Sequence, residues 1–145
     1  MEDMNRITLS LAETVCQASL EKGRKLGLKP LSVAVVDAGG HLIAFRREDG
    51  ASNLRPQIAI GKAAGALALG VSSRKIGEMA AERPAFVGAL GEISAQGVIP
   101  AAGGVIAIDD AGSPLGAVGV TGDSSDNDEI CALAGLEAAG LKVQA

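Results

Sequence analysis

A nearly continuous apolar run from Leu31 to Val36 ends at the turn tetrad Asp37, Ala38, Gly39 and Gly40. A second run follows, in which Leu42, Ala44 and Arg46 alternate with Ile43, Phe45 and Arg47. Two β-capable runs joined by Gly-rich turn residues predict a hairpin, about 32–37 and 41–47, because glycine takes φ > 0 without steric cost and Asp37 can bond its own turn. A similar figure recurs later. Val105 to Ile108 leads into Asp109, Asp110, Ala111 and Gly112, and a return strand is expected from Pro114 to Val120.

The remaining apolar positions fall at helical spacing. Leu11, Val15 and Ala18, with Ala12, Cys16 and Leu20 beside them, mark a first helix starting near Thr8 or Ser10 and stopped by Gly27 and Pro30. A second helix is expected from about Leu54 to Leu69, rich in Ala and Gly, with Lys62 as the sole charge between Arg55 and Arg74. Glycine inside a helix costs about 1 kcal/mol relative to alanine, so Gly61 and Gly65 point to close packing against another element. A short helix from Ser72 or Ser73, an interruption at Pro84 and a further short helix over 86–94 follow. The last helix opens with the acidic stretch around Asp126 and runs to about Gly140. The predicted order is α-β-β-α-α-β-β-α, and tight turns within each ββ pair require an antiparallel sheet, which is α+β architecture.

Composition narrows the class. At 145 residues the chain suits one domain spanning 1–145. Apolar residues make up 48% with no Trp or Tyr, so the core must be built from Ala, Val, Ile and Leu. A mean hydropathy of +0.30 leads us to expect a homo-oligomer that hides part of this surface. A net charge of −4, scattered basic residues and the lack of stacking aromatics argue against nucleic acid. No apolar run approaches the ~18 residues that cross a membrane. The polar start from Met1 to Arg6 lacks an apolar signal-peptide core, so a cytoplasmic location is expected. Cys16 and Cys131 read as buried free thiols, and with His41 they share no metal-ligand spacing, so no metal site is expected.

Several segments together resemble the GlcG/HbpS-like family, which includes a domain at the C-terminus of PduO-type cobalamin adenosyltransferases. They are Val35 to Leu42, Arg47 to Ala51, the helix carrying Lys62, Pro100 to Val105, and Gly119 to Gly122 followed by Asp128 and Glu129. The resemblance implies a profilin-like α+β domain, an antiparallel sheet flanked by helices, that assembles into homo-oligomers. Some members bind haem, and some belong to catabolic operons for small carboxylates and diols. Fold is carried by such a resemblance further than function.

Each candidate residue has two readings. His41 is the single histidine, and serves either as a haem axial ligand or as a half-exposed hairpin residue. The family places His or Asn there. Arg47 could clamp a carboxylate with Asp49 orienting it, or Asp49 could cap helix two and pair with Arg47. Lys62 could act as a desolvated base or carbonyl nucleophile, or it could snorkel to solvent or pair with a carboxylate across an interface. Gly103, Gly104, Thr121 and Gly122 could present backbone N–H groups to an anion, or serve strand entry and turns. Asp128 is expected as a partner of the last helix's dipole or as an interface residue. No phosphate loop, dinucleotide fingerprint or nucleophile elbow is present. The expected function is binding of haem or a small organic acid in a pocket between the hairpins and helix two, lined by Arg47, Asp49, Lys62 and the Gly103-Gly104 backbone. The alternatives are an isomerase or tautomerase-like enzyme on a small oxo-acid, with Lys62 as base, and a non-catalytic accessory subunit.

Overall fold

Both expected hairpins form, and they meet through β1 and β4. The computed structural model describes residues 5–145; of the N-terminal stretch read above, residues 1–4 lie outside them. The elements are α1 (Leu9–Lys25), β1 (Ser32–Asp37), β2 (Leu42–Arg47), α2 (Arg55–Leu69), α3 (Ser73–Glu82), α4 (Pro84–Ile93), β3 (Gly104–Ile108), β4 (Pro114–Thr121), α5 (Ser125–Ala138) and β5 (Lys142–Val143). The strands make one antiparallel sheet in the order β2-β1-β4-β3-β5. This is the expected α+β arrangement, including the break at Pro84, with a short fifth strand added.

Position in the sheet explains the contrast between the two first strands. β1 is flanked by β2 and β4, and its residues 32–36 are all buried, hence the unbroken apolar run. β2 is an edge strand, half exposed, and reads as an alternation. Side chains alternate between the two faces. Val33, Val35, Val105, Val118 and Val120 face α1 and α5, meeting Ala12, Val15, Cys16, Cys131 and Leu136. Val36, Ile106 and Ala117 face α2 and meet Ala63 and Ala66.

Local chemistry sets most of the boundaries. Thr8 caps α1, its Oγ1 accepting from the Leu11 N–H at 3.2 Å, so the Ser10 capping register is not used. Arg83 leaves helical geometry just before Pro84, which has no N–H to continue α3 and opens α4. Asp49 does not cap α2; Leu54 holds that position and makes no side-chain cap bond. β5 is two residues long, too short to leave a periodic signal. Among the described residues no helix is long and apolar enough to cross a membrane.

The α2 glycines and alanines answer to a close approach. Gly119 and Gly104 are cross-strand partners beneath α2. A Cβ on Gly119 would run into the Ala59 carbonyl oxygen, and one on Gly104 into the Lys62 carbonyl oxygen. Backbone cannot yield as a side-chain tip can. Gly119→Ala is therefore expected to cost about 3 kcal/mol by denaturant unfolding. Gly88→Ala, with open space at its Cβ and a helical setting, should be neutral or stabilise by up to about 1 kcal/mol. Equal effects of the two substitutions would refute this account of the packing.

Candidate functional site

Lys62 projects from α2 at the end of the sheet where β3 begins and β4 ends. Its path runs where Gly103 has no side chain: a Cβ there would sit 2.9 Å from Nζ and 3.1 Å from Cδ. Nζ donates to the Val120 carbonyl at 2.9 Å and to Asp128 Oδ2 at 3.2 Å. Both side chains are almost wholly buried, 3% and 2% exposed. Asp128 lies in the first turn of α5, and its Oδ1 accepts from the Asp123 N–H at 2.9 Å. The pair thus reaches past the end of the sheet, joining the helix on one face to a helix on the other. Burial pushes the Lys62 ammonium below its ordinary value and the Asp128 carboxyl above its own, while their mutual attraction opposes both shifts.

Around this pair the sheet carries a polar row. Ser32 is the cross-strand partner of Thr121 on one side and of Arg47 on the other, so all three share the α2 face. Thr121 is buried, and its Oγ1 accepts from Arg55 Nη1 at 2.8 Å. Arg55 Nε also donates to Ser52 Oγ at 3.2 Å. Ser32 Oγ is buried with no hydrogen-bond partner. Arg47 is exposed and lines an open cleft of about 450 Å³ with Arg24, Pro30, Glu48 and Asp49. Glu48 is already engaged there by Arg24 Nε at 3.0 Å and by the Leu31 N–H at 2.8 Å. Among the described residues Arg47 and Asp49 do not form an ion pair, so the pairing offered as their structural reading is absent.

His41 lies at the other end of β2, six residues from Arg47, which is about 20 Å along a strand. Its side chain is 77% exposed, more than the half exposure expected, and Nδ1 sits 3.3 Å from Asp37 Oδ1. The same carboxylate oxygen accepts the N–H groups of Gly39 and His41. A groove of about 380 Å³ beside it is lined by His41, Ile43, Ile7 and Leu115, among others. Lys62, Gly103, Gly104 and Thr121 therefore come together, Arg47 joins them through Ser32, and His41 stands apart. Gly122 packs elsewhere, its missing Cβ leaving room for the Pro30 carbonyl and Leu31. Among the described residues no group of His, Cys, Asp and Glu is placed to hold a metal ion. Burial pushes both thiols up to about 11, so Cys16 and Cys131 are protonated and inert at neutral pH.

Two residues of this region escaped the sequence reading, though each left a trace. Ser32 is the polar interruption of an apolar central strand. Arg55 begins α2, where a cation opposes the helix dipole and no acidic residue accompanies it in the first turn.

The fold and site define an antiparallel α+β protein with polar and ionic groups gathered at one end of its sheet. The chain belongs to the HbpS-like family, described as haem-degrading protein HbpS-like, whose model matches residues 7–137. Among solved structures it is similar to a double mutant of Streptomyces reticuli HbpS, with 30% identity and a TM-score of 0.78 over 94% of this chain and 89% of that one. It is also similar to Klebsiella pneumoniae protein ORFY, with 26% identity and a TM-score of 0.84 over 97% and 94%. A complex of PduOC with haem shares the fold at 21% identity, with a TM-score of 0.85 over 97% and 99%. No curated protein matches the sequence.

Removing one partner of a buried pair strands the other charge. Lys62→Met is expected to destabilise the chain by about 3–5 kcal/mol, and adding Asp128→Asn should recover part of that loss in a double-mutant cycle. Additive effects would show that the two side chains do not interact. A second test concerns acid. Asp123 accepts from the Asn127 amide and from the Lys29 and Ser124 N–H groups, which lower its pKa from 3.8 to about 2. The folded chain thus binds this proton less readily than the unfolded chain. Its stabilisation is complete above about pH 4 and is lost as pH falls towards 2. Asp123→Asn should flatten the stability profile in that window, and an unchanged slope would contradict the assignment.

Proposed function

We propose that this chain is a small-molecule-binding protein and that haem is one ligand, taken at the hairpin tip through His41. The observation that carries the reading is the contact of Asp37 Oδ1 with His41 Nδ1. It favours the tautomer that leaves Nε2 as a lone-pair donor on an exposed imidazole, the second-shell arrangement of metal-ligating histidines. The apolar lining from Ile7, Ile43 and Leu115 suits a porphyrin face. Family membership and the fold shared with a haem complex support the same ligand. When bound, the haem would supply redox-active iron; the residues of this chain hold and orient it. Lys62 and Arg47 do not take part at that end of the sheet, one being buried in its ion pair and the other about 20 Å away.

The enzyme reading is favoured by one observation, the lowered pKa of Lys62, as an amine base would need. Its ammonium, however, is enclosed and already bonded to Val120 and Asp128. The accessory-subunit reading gains no such support. Self-association belongs to the proposal as well. Exposed Phe86 (42%) and Ile93 (83%) on α4 are surfaces that a second copy would cover.

Titration of purified protein with haemin, followed by visible absorption, is expected to give a saturable Soret shift of defined stoichiometry. His41→Ala should weaken it at least tenfold. Absence of a shift would remove haem as a ligand, and an unchanged shift in the variant would remove His41.

A further inference from the structure

We propose that Ser32, Arg47 and Arg55 form a separate subsite for the carboxylate of a small organic acid, at the end of the sheet away from His41. It rests on the small-molecule-binding reading but not on haem. Three observations converge on it. The Ser32 hydroxyl is buried without a partner, a state that costs free energy unless something occupies it part of the time. Ser32 lies between Arg47 and Thr121 in the strand register, and Thr121 is held by Arg55, so the hydroxyl is flanked by two guanidinium-bearing residues. Neither arginine has a carboxylate partner among the described residues. Arg24 and Arg74, by contrast, are paired with Glu48 and with Asp126 and Glu129.

Position and charge fit the same ligand. Arg55 stands in the first turn of α2, where its own charge is disfavoured but an incoming anion is welcomed by the dipole. The planar forks of two arginines match the two oxygens of a carboxylate, and a hydroxyl donor between them completes the set. Arg47 also lines the cleft of about 450 Å³, whose other walls are Arg24, Pro30, Glu48 and Asp49. Of the two carboxylates there, Glu48 is neutralised by Arg24, and exposed Asp49 sets the outer limit of the anion's approach. Ser32 is fully buried, so the proposal requires Arg55 to move its Nη1 bond from Thr121 to the incoming oxygen.

The test is isothermal titration with acetate, pyruvate and succinate, with methyl pyruvate as the uncharged control and haemin titrated in parallel. Pyruvate or another of the acids should bind saturably, and the ester should not. Ser32→Ala should weaken binding about tenfold while leaving the melting temperature unchanged or higher, since it deletes an unsatisfied hydroxyl. Arg55→Gln should weaken binding at least tenfold, with Arg55→Lys failing to restore it because the fork is lost. Circular dichroism of each variant separates a folding failure from a binding loss. If no free acid binds but haemin weakens in Arg55→Gln, haemin lies at this end of the sheet, and both the separate acid subsite and the placement of haem at His41 are overturned. Haemin binding indifferent to Arg55→Gln, with no acid bound by wild type, overturns the subsite and leaves the haem reading intact. Acid binding that survives both Ser32→Ala and Arg55→Gln overturns it as well, and absence of all binding sinks both readings.

Discussion

The backbone of α2 rests directly on β3 and β4, with no side chain between them at Gly104 and Gly119. This approach determines what the rest of the chain can do. With Ala63 and Ala66 as its core contacts, the helix sits low enough for a long side chain to pass beside the sheet instead of packing on top of it. Lys62 takes that route, alongside Gly103, and so comes to the first turn of α5. Small residues here set the spacing of layers, which is why a helix so rich in Ala and Gly is buried without a break from Gly61 to Ala66.

A buried lysine–aspartate pair is an awkward contributor to stability. Desolvation of both ions takes back much of their Coulomb attraction, and burial shifts both groups towards neutrality. Its strength lies in what it excludes. The Val120 carbonyl and the Asp123 N–H complete the hydrogen bonding of the two ions, so α2 and α5 meet in a single register. Ser73 works similarly one step along, its hydroxyl accepting the Gly104 N–H at 2.6 Å and tying α3 to the start of β3. Polar groups inside this core therefore specify position, while the valines and alanines supply the driving force.

β2 carries chemistry at both ends. At the hairpin tip, Asp37 holds the turn and His41 together; at the exit, Arg47 faces a row that continues through Ser32 to Thr121. An edge strand can offer two such stations because one of its margins is unpaired and its residues are only partly covered. The consequence for function is separation. A ligand held by His41 and a carboxylate held by Arg47 belong to different ends of the sheet, a distance that residue types alone do not show.

Much of the fold was legible because its signals are local. The Asp37 and Asp109 turns, the stop at Gly27, the break at Pro84 and the alternation of β2 each depend on residues within a few positions of one another. The motif series from Val35 to Glu129 likewise points to the family from sequence alone. The sites were less legible. Lys62 stood out as a lone charge in an apolar helix, yet its partner lies 66 positions away, and burial of both ions is a property of layers packed together. Arg55, Ser32 and Arg47 come together only through the register of three strands and the seating of α2 on them. Sequence by itself determined every element but β5, the turns and the family, since backbone preference and side-chain periodicity act over one or two turns of chain. Tertiary structure decided which charges are buried, which hydroxyl is left without a partner and which arginines remain unpaired, because those depend on distances between segments that sequence spacing does not encode.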